Sequence, residues 1–169
     1  ESQANSFTND SAAADMGFST ATVLDPFWAD PALCERNESP LACEYRLTQP
    51  SVAIIMLGQI DINYGGPAPA EQYRANMEQI IQRSIDQGVI PVLTTIVFLP
   101  QREDVWPVSM DYNSALVDLA EEYQIPLINL WSAVQTLPNA GIGPDRSHLK
   151  ARVGDFCNFN GPEQELAVE

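Results

Sequence analysis

The chain has 169 residues, 45% of them hydrophobic, which suits one domain with a buried core and offers no obvious second one. Its formal net charge of −15, from 23 acidic against 8 basic residues, would repel a phosphate backbone or an anionic membrane surface, so nucleic acid and acidic lipid are poor partners. No run of about 18 apolar residues is available to span a bilayer. The first residues, Glu1-Ser2-Gln3-Ala4-Asn5, lack the basic start and apolar centre of a signal peptide, so the chain either is not exported or has lost its export signal.

Residues 1–16 are rich in Ser, Asn, Asp and Ala around Phe7 and read as a surface segment, leaving residues 17–169 as the core of a single domain. Gly17 to Pro26 predicts a Gly turn feeding a short helix, with Ser19 as its N-cap. Pro26 and Pro31 then bound an irregular piece that carries Trp28. Cys34 and Cys43 flank the turn-like segment from Glu35 to Ala42, whose Pro and polar residues would let a short loop close on a surface disulfide. Two free thiols are the alternative. The spacing lacks the CxxC pairs of a zinc site, so no metal is expected, and a disulfide would place the protein in an oxidising, extracellular setting. Cys157 is left over and reads as a small buried hydrophobe.

Ser51-Val52-Ala53-Ile54-Ile55-Met56-Leu57 runs apolar without alternation, as expected of a central strand covered on both faces. In an open parallel sheet the ligand crevice lies beyond the carboxyl ends of the strands, here from Gly58 to Asn63, although a buried strand leading into an ordinary loop would look the same. Gly65-Gly66-Pro67-Ala68-Pro69 is a loop, and Tyr73, Met77, Ile80, Ile81 and Ile85 then recur at helical steps until Gly88. Val89 to Val97 predicts a second strand, Tyr112, Leu116, Leu119, Ala120 and Tyr123 a second helix, and Ile125 to Leu130 a third strand, followed by a short helix from Trp131 to Leu137. Strands alternating with such helices imply right-handed crossovers and a parallel sheet, so the fold class is three-layer α/β/α.

Two places put polar groups where such a sheet keeps its site. One is Gly58-Gln59-Ile60-Asp61, and the other is Asp145-Arg146-Ser147-His148, in a loop after Gly141-Ile142-Gly143-Pro144. His148 is the only histidine, and a carboxylate three residues before it can hold one ring nitrogen while the other faces a nucleophile. A general base needs that arrangement, because the carboxylate fixes the tautomer and stabilises the imidazolium. A lone histidine is more commonly structural.

Pro50 to Asp61 resembles the third sequence block of the SGNH (GDSL-type) hydrolases, an apolar strand ending in Gly-x-Asn-Asp. Asp145-x-x-His148 matches that family's fifth block at the right end of the chain, and Gly17 resembles the second-block glycine. The likeness spans roughly residues 17 to 160. It implies a flavodoxin-like sheet and ester hydrolysis through an acyl-serine, without a cofactor. His148 would be the base, Asp145 its orienter, and the Gly17 amide one donor to the oxyanion, with Gly58, Gln59 and Asp61 on the oxyanion or substrate side.

The sequence departs from that pattern twice. The block-three Asn falls on Ile60, which has nothing to donate, and Gln59 would face the other side if the strand continued. No Gly-Asp-Ser follows an apolar strand ahead of Gly17. Asn9-Asp10-Ser11 is the nearest imitation, and Ser11 reads as a surface serine. The sequence therefore looks trimmed at both ends, and an upstream segment or another chain is expected to complete the sheet. The expected substrate is a small ester or acylated glycan, with no turnover by this chain alone. A catalytically inactive SGNH-like module binding a glycan or protein is the alternative, and a flavodoxin-like ligand binder is the weaker third, since no Gly-rich phosphate loop is present.

Overall fold

A computed structural model describes residues 10–15, 17–63, 68–98, 103–143 and 149. Three parallel strands form the sheet: β1 (Val52–Ile55), β2 (Ile90–Thr94) and β3 (Leu127–Ile128), in the order β1-β2-β3. Val52 pairs with Ile90 and Ile55 with Leu93, while Leu93 pairs with Leu127 on the other side. The middle strand is thus β2. The expectation that the Ser51–Leu57 run would be central is not met among the described residues, where β1 pairs on one side only.

Two long helices follow from the apolar stripes read in the sequence, α3 (Ala70–Asp86) and α4 (Trp106–Tyr123). Tyr73, Met77, Ile80 and Ile81 of α3 and Tyr112, Leu116 and Leu119 of α4 join Ile55 and Leu93 in one continuous buried core. Ala53 and Leu127 pack against the same core, so the residues that alternate with Val52, Ile54, Ile90 and Ile128 form the covered face of the sheet. Gly88 ends α3 with φ +74°, a conformation that L side chains rarely adopt. Pro91 is accommodated because the Leu93 amide bonds to the Pro126 carbonyl, which places the nitrogen of residue 91 on the β3 side, ahead of the point where β3 begins.

Three short elements differ from the sequence expectation. The stretch between the cysteines is not all turn: α1 (Pro40–Thr48) starts inside it, with Ser39 accepting the Ala42 amide and Pro40 in the first turn. The turn after β1 winds into α2 (Gln59–Asn63), so Gln59 and Ile60 lie about 100° apart around a helix rather than on opposite sides of a strand. The N-cap position of the short helix falls on Ala21 rather than on Ser19. Ser19 exchanges hydrogen bonds with Thr22, its hydroxyl accepting the Thr22 amide and its own amide donating to the Thr22 hydroxyl, ahead of a single 3₁₀ turn at Thr22–Leu24.

A disulfide joins Cys34 to Cys43 and anchors the irregular piece to α1. Arg46 of α1 reinforces it, donating to Glu38 at 2.8 Å and to the Leu33 carbonyl at 3.0 Å. That guanidinium, with the Glu35 backbone, holds the Glu38 carboxyl below its usual range. Closing a loop of nine residues restricts the unfolded chain by roughly 2–3 kcal/mol. Replacing both cysteines by Ala should lower unfolding stability by about that amount, measured by urea titration.

Candidate functional site around Gly58 and Asp61

The candidate site sits at the carboxyl end of β1, the end at which open parallel sheets bind ligands. Gly58 has φ +130°, and a Cβ there would collide with the Ile96 side chain and come within 3.1 Å of the Tyr73 ring. Only glycine fits that turn. Its backbone is fixed from both sides: the Tyr73 hydroxyl donates to the Leu57 carbonyl at 2.9 Å, and the Ile62 amide donates to the Gly58 carbonyl at 3.2 Å as α2 begins.

Asp61, on α2, is buried, and its carboxylate accepts from Thr20 twice over. The Thr20 amide lies 3.0 Å from Oδ2 and 3.2 Å from Oδ1, and the Thr20 hydroxyl also donates to Oδ1. Asn76 of α3 donates to the same hydroxyl at 3.0 Å. Charge-assisted bonds of this kind are the strong ones, and they tie the Gly17–Thr20 loop to the turn after β1. The Gly17 loop thus lies beside the Gly58–Asp61 turn, while the Asp145–His148 loop falls outside the described residues. Gly17 itself is exposed, and a Cβ on it would meet nothing within 4 Å.

Two stacked phenols brace the segment that follows. The Tyr73 and Tyr112 rings lie parallel at 3.8 Å, and the Tyr112 hydroxyl donates to the Ala68 carbonyl at 2.8 Å while the Ala68 amide donates to the Asp61 carbonyl at 3.0 Å. Burial, then the Asp61 charge, pushes Tyr112 up to about 12, and burial raises Tyr73 well above the usual phenol value. Neither phenol ionises near neutrality, so both serve as donors.

Asp145 and His148 lie outside the described residues, as do Cys157 and Ser147. Ser11 is half-buried, and its hydroxyl accepts the Ala13 amide at 3.1 Å in a local turn. The sequence reading singled out neither Thr20 nor Asn76, and missed the bracing role of Tyr73 and Tyr112, which it took as core residues. A separate cleft of about 270 Å³ lies between α4 and the residues after β2 and β3, lined in part by Thr95, Ser114, Asp118, Asn129 and Trp131. None of the described residues that the sequence reading placed in the site lines it. Cys34, Glu38 and Cys43 lie close enough to suggest a metal cluster, but the two sulfurs are bonded to each other.

Residues 3–152 match the GDSL-like lipase/acylhydrolase family. The chain belongs to that family. Among solved structures, it resembles a protein proposed to be an acylhydrolase from Bacteroides fragilis, with a TM-score of 0.54, 16% identity and 64% of this chain covered against 56% of that one. It also resembles a GDSL-like lipase from Bacteroides thetaiotaomicron, with a TM-score of 0.53, 16% identity and 64% of this chain covered against 57% of that one. The chain thus spans a little over half the length of these structures. At that identity the likeness establishes the fold, a three-layer α/β/α with a parallel sheet, as the alternation of strands and helices implied. No curated protein sequence matches the chain.

Two outcomes follow from this geometry. Asp61→Ala should destabilise the fold by about 1–3 kcal/mol, because it leaves the buried Thr20 amide and hydroxyl without their acceptor; urea unfolding and faster exchange of the Thr20 amide would register it. The phenols set an alkaline limit, since a group whose folded pKa is raised keeps its full contribution below its unfolded value and loses it as pH rises. The melting temperature should therefore fall between about pH 10 and pH 12, with tyrosinate absorbance appearing in step with unfolding.

Proposed function

We propose that this domain belongs to a carboxylic ester hydrolase acting through an acyl-serine, with His148 as general base, Asp145 as its orienter and the Gly17 amide as an oxyanion donor. The reading rests on the family match, and one observation carries it furthest. The Thr20–Asp61 bonds hold the Gly17 loop against the Gly58–Asp61 turn, two of the four segments such a site needs. Gly58 and Gln59 would border the acyl group. Asp61 would act from behind, through Thr20. The substrate class we favour is a small ester or an acylated glycan.

The nucleophile is not evident in this sequence, so the 169-residue chain is expected to lack turnover. The disulfide supports an oxidising, extracellular location, and no described helix is long and apolar enough to cross a membrane.

A second reading has one specific observation in its favour. Ile60 occupies the position of the family's oxyanion asparagine, and losing such a donor typically costs about 10²–10³ in rate. A non-catalytic binding module of the same fold would tolerate that residue without penalty.

The two readings separate on release of p-nitrophenol from p-nitrophenyl acetate. The hydrolase reading expects none from the 169-residue chain, and turnover from a longer polypeptide that falls about 10²–10⁴-fold in His148→Ala. Turnover that survives His148→Ala would place the site elsewhere. An inert longer polypeptide would favour the binding module.

A further inference from the structure

The cleft between α4 and the ends of β2 and β3 shares no lining residue with the Gly58–Asp61 turn, and its walls are held in place. Asn113 of α4 accepts the Ile96 amide at 2.7 Å and donates to the Ile96 carbonyl at 2.9 Å, which fixes the helix to the stretch after β2. The Thr95 hydroxyl accepts the Trp131 amide at 2.9 Å, which fixes the short helix after β3, α5 (Leu130–Val134), to the same stretch. A cleft braced this way loses little freedom when it is filled. Its volume of about 270 Å³ is just under the usual range for ligand sites, about 300–1,000 Å³, and suits one small ring.

The lining chemistry selects among ligands. The Asn129 carbonyl oxygen accepts the Ser132 amide at 3.0 Å, so its amide nitrogen is the part left to donate. Ser114 and Asp118 of α4 are exposed and make no hydrogen bond among the described residues; the hydroxyl can donate and accept, the carboxylate only accept. The Trp131 indole N–H is buried and has no acceptor among the described residues. Met110 and Val117 supply the apolar part, and no lysine or arginine lines the cleft.

An anion would satisfy the donors but face Asp118. A cation would pair with Asp118 but leave the Asn129 and Trp131 donors without acceptors. A hydroxyl group both donates and accepts, so a neutral polyhydroxylated ring answers every group at once, with its C–H face for Met110 and Val117.

We propose that this cleft is a binding site for one neutral sugar unit, with Asp118 and Asn129 selecting it. The Trp131 nitrogen has almost no accessible surface, so a ligand oxygen reaches it only when the ring turns toward the cleft. Its unpaired state favours that turn, since a buried N–H without a partner is costly. The site stands apart from the hydrolase reading and would serve a glycan-binding module equally.

An NMR titration of the isotope-labelled 169-residue chain tests it, with glucose, galactose, mannose, xylose and N-acetylglucosamine as the sugars and with choline and acetate as the ions. At least one sugar should saturate with a Kd of about 1–10 mM, the affinity of so small a ligand, and should move the Trp131 indole and Asn129 side-chain signals together. Asp118→Ala changes an exposed residue, and Asn129→Asp keeps the acceptor for Ser132. Each should weaken binding about fivefold or more with the rest of the amide spectrum unchanged. No saturable shift from any of these sugars at about 100 mM would overturn the proposal. So would saturation by choline or acetate alone, which would make the cleft a site for that ion, and so would sugar binding that moves other residues or that either variant leaves intact.

Discussion

The carboxylate of Asp61 is the pivot of the candidate site, because it joins two segments that no strand or helix otherwise connects. Residues 17–24 contribute one single-turn element, with Val23 in the core and Phe18 and Leu24 packed against it, and their backbone must still be fixed relative to α2. The bonds from the Thr20 amide and hydroxyl supply that fixing, and Asn76 orients the hydroxyl by donating to it. A buried charge is tolerated only where such donors converge on it. Placing Asp61 on α2, one turn beyond Gly58, therefore decides at once where the loop sits and how the chain leaves β1.

Gly58 makes that placement possible. The turn must bring the backbone against Ile96 and Tyr73 and then start a helix immediately, which excludes a side chain and sets φ in a region that favours glycine. Tyr73 contributes from both ends: its ring forms the wall that excludes a Cβ, and its hydroxyl holds the Leu57 carbonyl. Sheet, turn and helix are thus braced by one side chain of α3, reaching across the core that its apolar stripe builds.

Much of this architecture was legible in the sequence, because α3 and α4 carry apolar stripes with the helical period and β2 is a continuous apolar run. The run from Ser51 to Leu57 was read as a strand, of which Val52–Ile55 forms one, but its uniform apolarity does not report how many neighbours it has, and among the described residues it is paired on one side. The short elements were harder. α2 spans only Gln59–Asn63, less than the length over which periodicity accumulates, and α1 begins inside a segment whose Pro and polar residues resemble a turn until Ser39-Pro40 is recognised as a cap and first turn. Gly58 and Asp61 were singled out by their place at the end of the apolar run, and then by the family pattern. Thr20 and Asn76 were not, since one lies in a Ser/Thr-rich stretch and the other is a lone amide within the buried stripe of α3, and only the fold brings Asn76 to the Thr20 hydroxyl and that hydroxyl to Asp61.

Tyr73 and Tyr112 stack against each other from different helices, and each holds a carbonyl, one at Leu57 and one at Ala68. Both ends thereby depend on one pair of rings, so a substitution at Tyr73 or Tyr112 would loosen the exit of β1 and the approach to α3 together.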